Sequence, residues 1–424
     1  MIKGFLICWA VYWAAVAVLP VHSIYPATTE ALILQLSFVC LVCLGYLSVA
    51  ALTPNSQMPV AASHSIPSVR RVIALSLIMS LLGFLFLLFD KIYMQQIDYS
   101  NGLAVAREQW RTIGEDRDGK ASSIWSALGY LIGSGYYVAL VLAITHANQL
   151  TSRQRVWVVL ASFMFALANS IITGGRSNFL LLVVIAMSSL SARSRLGVAS
   201  VFSSRKQRRI AVSVLFLTVF YMGFVFFARA NAGNQLIYLY VVNFLPYMGL
   251  DFDSWYLRSV GESWVGDAGS LTILMIGYLT HSFASVAAIM DAPLEHKVII
   301  FNNFASIFYK LGWIEKPDTD WFLQGRFPSV PGALWHEFGT IGFGLCSLAL
   351  GFSCAMSRLW TICRPNRLLP LASFVLLGST LILSPFAFAP DFLSFPFVGT
   401  AFVILAVASR LLDWRRSVTS VNAT

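Results

Sequence analysis

Thr173-Gly174-Gly175-Arg176-Ser177-Asn178-Phe179 stands between two apolar runs, Val156 to Ile172 and Phe179 to Leu190, each suited to a membrane-spanning helix. A cation among hydroxyls and glycines is costly there unless protein or water surrounds it, because charges within a bilayer are tolerated only when paired or hydrated. The second run closes on Ser191, Arg193 and Arg195. From Ser177 to Ser191 a helix rises only about 22 Å, against a hydrocarbon core of about 30 Å. With Arg193 at its water interface, Arg176 is drawn below the opposite one and lines a pocket. Gly174 and Gly175 permit a tight turn, and Thr173 or Ser177 can cap the following helix, whose free N–H groups and dipole favour an anion. Arginine beside a helix N-terminus reads as a phosphate seat. A hairpin tip whose arginine snorkels to the lipid headgroups satisfies the same residues.

The whole chain has the matching character. Its 424 residues are 58% hydrophobic and 11% charged, where soluble domains hold about 45–50% and about 25%. That excludes a soluble globular enzyme and predicts an all-α, polytopic helical bundle, a single membrane domain over 1–424. Apolar spans fall near 4–20, 31–52, 71–89, 122–145, 155–172, 178–191, 210–228, 338–360, 368–388 and 394–412, about ten transmembrane helices in all. Cys8, Cys40, Cys43, Cys346, Cys354 and Cys363 lie in or beside these runs. Cys40-x-x-Cys43 therefore reads as small core residues, and no disulfide framework is expected.

Charge then orients the chain. With the N-terminus inside, the internal segments hold seventeen basic residues against Asp413 alone, a net +16, while the other 12 basic and 18 acidic residues give −6 outside, which together make the chain's +10. This follows the positive-inside rule and predicts cytoplasmic N- and C-termini. The basic loop 192–209, with Arg205-Lys206-Gln207-Arg208-Arg209, is then a cytoplasmic topology determinant and not a nucleic-acid patch.

Two external loops are long, 90–121 and 229–337. The first carries charges of both signs around Arg107-Glu108-Gln109-Trp110-Arg111, which suits an amphipathic surface helix with a solvated charged face. The second opens with Arg229, a cation at the outer end of its span, where an anionic partner would justify it. Trp255, Trp264, Trp313, Trp321 and Trp335 follow; flat aromatic faces pack on sugar C–H faces, and they also form interfacial belts. Stretches 236–250 and 271–290 are apolar enough to enter the membrane. A true spanning pair there would put Asp251 to Asp267 inside, against the charge rule. Asp251-x-Asp253 has the spacing of a metal-binding acid pair, and a helix N-terminal cap explains it as well.

The second loop closes with Arg326 and then Glu337-Phe338-Gly339-Thr340-Ile341-Gly342 at the head of a late span. An acid followed by Phe-Gly-x-x-Gly, with an earlier Gly-Gly-Arg-Ser tip, resembles the Wzy-type O-antigen or oligosaccharide repeat unit polymerases. The resemblance implies a GT-C-like integral-membrane glycosyltransferase in the bacterial inner membrane, taking undecaprenyl-diphosphate-linked glycans as donor and acceptor, with membrane lipids around it and a chain-length regulator as protein partner. O-antigen ligases are related, and in their pattern a histidine stands a few turns ahead of Gly-x-x-Gly; this chain has none between Lys310 and Trp335. Transfer needs a diphosphate seat and a base. Arg176, the N–H groups of Ser177 and Asn178, Arg229 and Arg326 suit the seat. Glu337 and His336 at the mouth of a span, and His281 in an apolar stretch, are the candidate bases. Arginines can replace the divalent cation of nucleotide-sugar enzymes, so neither metal nor other cofactor is expected. The alternatives are a ligase and a transporter or flippase for lipid-linked glycans.

Overall fold

In lipid every backbone N–H and C=O must find its partner within the protein, which leaves the helix as the solution for an apolar run. The computed structural model describes residues 1–52, 69–100, 102–116, 123–173, 177–196, 205–232, 236–259, 264–292, 305, 308–309, 312–315 and 328–421. In order these form α1 (Ile2–Val18), β1 (Val21–Ser23), α2 (Thr28–Leu52), α3 (Val69–Phe89) with a π-helical turn (Asp90–Met94), α4 (Leu103–Asp116), α5 (Ile124–Gly133) and α6 (Gly135–Thr145). There follow α7 (Ser152–Thr173), α8 (Ser177–Arg195), α9 (Arg205–Ala232), α10 (Ile237–Tyr247), β2 (Leu250–Phe252), α11 (Ser254–Ser259), α12 (Trp264–Thr280) and α13 (Ser282–Asp291). The chain ends with α14 (Val330–Cys363), α15 (Leu368–Leu383) and α16 (Ser394–Val421).

Among the described residues, 7 helical stretches are long and apolar enough to cross a membrane, or 8 if α12 and α13, bent by 51° at His281, count as one. The all-α polytopic reading holds. The first expected span keeps its length but starts earlier, α1 having 17 residues from Ile2 to Val18, whereas α15 is shorter than expected, with 16. The span expected over 368–388 stops at Leu383, because Pro385 follows and the Ser384 and Pro385 carbonyls serve other helices.

Helices pack where small residues let backbones meet. A Cβ on Gly45 of α2 would overlap the Leu348 carbonyl of α14, and one on Gly351 would overlap that of Val42, so these helices cross at backbone distance. Two of the apolar cores that result carry the main bundle, and a third packs α9, α10, α12 and β2 around Phe226, Leu245 and Leu274. One gathers α3, α6, α7, α8, α15 and α16 around Tyr137, Leu181 and Phe374. The other gathers α1, α2, α13 and α14 around Trp9, Phe38 and Cys354, with Leu381 of α15 between them.

A two-stranded sheet ties the end of α1 to the segment that follows α10. β1 pairs antiparallel with β2, Val21 opposite Phe252 and Ser23 opposite Leu250, so β2 lies where α1 leaves the bundle. With 11 residues, α10 is about 16 Å long and too short to cross. Asp251 therefore lies beside β1, opposite His22. The acid pair does not converge on one site: Asp251 accepts from the Phe252 N–H at 2.8 Å, and Asp253 takes His22 Nδ1 at 2.9 Å and Trp255 Nε1 at 3.3 Å.

Candidate functional site

Two clusters of buried polar side chains hold the candidates. The first flanks the tip between α7 and α8. Thr173 turns its hydroxyl back to the Asn169 carbonyl at 2.7 Å, closing its own helix. Tyr99 donates to the Ile172 carbonyl at 3.0 Å. Tyr137 donates to the Asn178 carbonyl at 2.9 Å, and Ser394, at the head of α16, donates to the Asn178 amide oxygen. Held from behind at both its oxygens, Asn178 keeps the first turn of α8 fixed, and that turn carries the donor N–H groups of a helix start. Asn169 Oδ1 and Ser170 Oγ, one turn back along α7, are buried without a hydrogen-bond partner among the described residues. Such acceptors suit a water or a substrate hydroxyl.

The helix that follows the tip is longer than expected. α8 does not end at Ser191 but runs to Arg195, and Arg193 is only 6% exposed, donating to the Ile144 carbonyl at 2.6 Å. A 19-residue helix is about 28 Å long, close to the hydrocarbon thickness. α8 is therefore long enough to reach across that layer, and Arg193 is met by a protein acceptor near its end.

Beside the tip lies a group that pattern reading assigned to a solvated loop. Asp90 is fully buried and Lys91 is 1% exposed. The π-helical turn adds a residue to the last turn of α3 and brings Gln95 under both: its amide donates to Asp90 at 2.5 Å and its oxygen accepts from Lys91 Nζ at 3.3 Å. Ser123 donates to the other Asp90 oxygen at 2.6 Å, and Lys91 Nζ stands 4.4 Å from the centre of the Trp110 ring. Such turns often mark functional sites. An acid and a base side by side directly after a 21-residue apolar helix were the available signal. Burial first, and then the Asp90 charge, push the Tyr99 hydroxyl above its ordinary pKa. It stays a donor to the α7 end.

The second cluster forms where helices break. Ser282 at the head of α13 donates to the Pro385 carbonyl at 2.6 Å, the Val330 N–H at the head of α14 to the Ser384 carbonyl at 3.1 Å, and Trp9 Nε1 to Ser384 Oγ at 3.0 Å. Tyr12 bridges to Ser282 at 2.8 Å. Gln35 Nε2 donates to the Tyr12 hydroxyl at 3.4 Å while its oxygen accepts from Trp13 Nε1 at 3.1 Å. His281 occupies the break itself, 3% exposed, and its Nδ1 donates to the Tyr278 carbonyl at 2.7 Å. In the neutral ring Nε2 is then the basic nitrogen.

α14 also breaks, at Gly339, whose φ of 62° and ψ of −167° suit a residue without a Cβ. His336 and Glu337 stand in the short segment ahead of it. His336 is buried and Glu337 half-buried, as a helical step of about 100° between neighbours demands. The bend folds Phe338 over Gly342, where a Cβ would overlap it. Gly342 thus makes room for its own chain at the bend.

The predicted residues therefore divide. Ser177 and Asn178 belong to the tip cluster, and His281, His336 and Glu337 to the break cluster, with α13 packed on the His336 segment through Val286 and Ile289 against Gly332. The eleven residues from Ser384 to Ser394 join the two clusters. Arg229 lies on the last turn of α9, its side chain outside the described residues, and α9 approaches the tip cluster through α4. Arg176 and Arg326 fall outside the described residues. Among the described residues no three His, Cys, Asp or Glu side chains converge as metal ligands.

The chain matches no family model, no curated protein and no solved structure.

Proposed function

We propose that the chain is a polymerase of undecaprenyl-diphosphate-linked oligosaccharide repeat units, a GT-C-like glycosyltransferase of the bacterial inner membrane with about ten spans, both termini cytoplasmic and its reaction at the periplasmic face. The observation that carries the reading is the fixed start of α8: Tyr137 and Ser394 hold Asn178 from behind, and Tyr99 holds the end of α7. Pre-set N–H groups stabilise negative charge that develops in a transition state without reorganising for it.

In this reaction the acceptor hydroxyl attacks the anomeric carbon of the donor. The bond from that carbon to the diphosphate oxygen breaks, and undecaprenyl diphosphate leaves with the electron pair. The hydroxyl proton passes to a base, Glu337 first, with His336 and His281 as the other candidates. Arg176, Arg229 and Arg326 with the Ser177 and Asn178 N–H groups take the charge on the diphosphate. A polyprenyl diphosphate is already a good leaving group, so arginines suffice for a seat of this kind.

The test is to give the purified chain a defined undecaprenyl-diphosphate repeat unit and look for a ladder of longer products, with and without a strong chelator. A ladder that survives the chelator is expected. No ladder from a folded, substrate-binding protein refutes the polymerase reading, and a ladder abolished by chelation and restored by Mg²⁺ or Mn²⁺ refutes the arginine mechanism. Arg176→Lys is expected to fail nearly as badly as Arg176→Ala, because a point charge does not reproduce the bidentate guanidinium fork.

A further inference from the structure

The ends of α3, α6, α7 and α8 meet at the corner between α6 and α7, residues 144–152. Three of these helices send arginines into it. Arg193 of α8 reaches the Ile144 carbonyl at 2.6 Å, Arg70 of α3 reaches the Gln149 carbonyl at 3.2 Å, and Arg155 of α7 reaches Ser152 Oγ at 3.1 Å. Arg155 lies close enough to Arg193 to act on it electrostatically. Its Nε is buried and has no hydrogen-bond partner among the described residues.

Helix C-termini attract cations, and that accounts for Arg193 at the end of α6. It does not account for cations brought together. None of the four helices carries an Asp or Glu, and the sequence has no acid from Gly119 to Leu250. The helix start nearest these arginines is already capped: Thr151 and Gln154 exchange hydrogen bonds at 3.2 and 3.0 Å. The counter-charge must come from outside these helices, at the level where they leave the apolar layer. Guanidinium groups match phosphate oxygens in a planar, two-pronged fashion.

We propose that this corner binds the phosphate of an anionic phospholipid headgroup, held among Arg70, Arg155 and Arg193. The site is independent of the proposed glycan chemistry. Bound lipid ties the starts of α3 and α7 to the end of α8, and α7 and α8 are the helices that carry the tip.

The test uses the full chain, purified in a neutral detergent, with retained phosphatidylglycerol counted by native mass spectrometry against phosphatidylcholine. Arg193 is left intact because it is buried. Arg70→Gln with Arg155→Gln is the site variant, and Arg364→Gln with Arg367→Gln, in the turn between α14 and α15, is the equal-charge control. Selective retention of phosphatidylglycerol is expected in the native chain and the control, with a loss of about tenfold in the site variant, the size of one charge-assisted hydrogen bond. Unchanged thermal unfolding of the lipid-free site variant shows that the loss is not misfolding; if it unfolds early, Arg155→Gln alone replaces it. Equal retention of both lipids, or equal loss in the control, overturns the site. Displacement of the lipid by inorganic phosphate at matched ionic strength overturns the lipid assignment in favour of a free-anion site.

Discussion

The tip cluster and the break cluster solve the same problem with different chemistry. Both bury polar groups in an apolar bundle, yet at the tip those groups include the charges of Asp90 and Lys91, while at the break the bonds run among indoles, hydroxyls, an amide and main-chain carbonyls. At the break, neutral groups that bond across helices tie interrupted segments together, although Ser285 Oγ and Ser329 Oγ nearby have no hydrogen-bond partner among the described residues. Buried charges cost several kcal/mol each in desolvation even after relaxation, so they persist only where something needs a charge. Tyr12, Ser282 and Ser384 hold broken helices together, while Asp90, Lys91, Gln95 and Ser123 form a charged group of their own. Glu337 and the two histidines stand in the neutral region and are its exceptions.

That division can be broken most sharply at Glu337. If Glu337 is the base, Glu337→Gln remains folded and binds lipid-linked substrate while turnover falls by about 10²–10⁴. His336→Ala measured in parallel decides between neighbours: full activity in the glutamine variant with loss in the alanine variant moves the role to His336 and makes the break cluster catalytic through a neutral group.

At the tip, Asp90→Ala removes the acceptor of both Gln95 and Ser123 and leaves Lys91 buried. A destabilisation of about 3–5 kcal/mol is expected, seen as earlier thermal unfolding in detergent. Lys91→Met with Asp90→Asn removes both charges and is expected to recover most of that stability but not polymer formation. Recovery of both would show that the charges serve the fold alone and would erase the contrast between the clusters.

In the break cluster, Tyr12→Phe removes one hydroxyl from a network with several other ties, so a cost of about 1 kcal/mol is expected, with polymer length unchanged. Loss of activity in a stable Tyr12→Phe protein would show that the break does more than hold helices. The smallest effect belongs to the rim. His22 and Asp253 form an exposed pair at 2.9 Å, and His22→Ala is expected to cost under about 1 kcal/mol in thermal unfolding, less at high salt.

The sequence by itself determined the class of fold, because 58% hydrophobic content and apolar runs of spanning length leave no other solution for the backbone in lipid. It also marked the tip at Thr173 to Phe179 and the residues around Gly339, since glycine, arginine and acid inside apolar runs stand out one position at a time. Only the tertiary structure decided that Asp90 and Lys91 are buried, that Arg193 prolongs α8, and that β2 pairs with β1. Each of those outcomes depends on a partner distant in the chain: Ser123 for Asp90, Ile144 for Arg193, Val21 for Phe252. Local pattern registers the cost of a polar group, but whether that cost is met by water or by another helix is a property of the packed bundle.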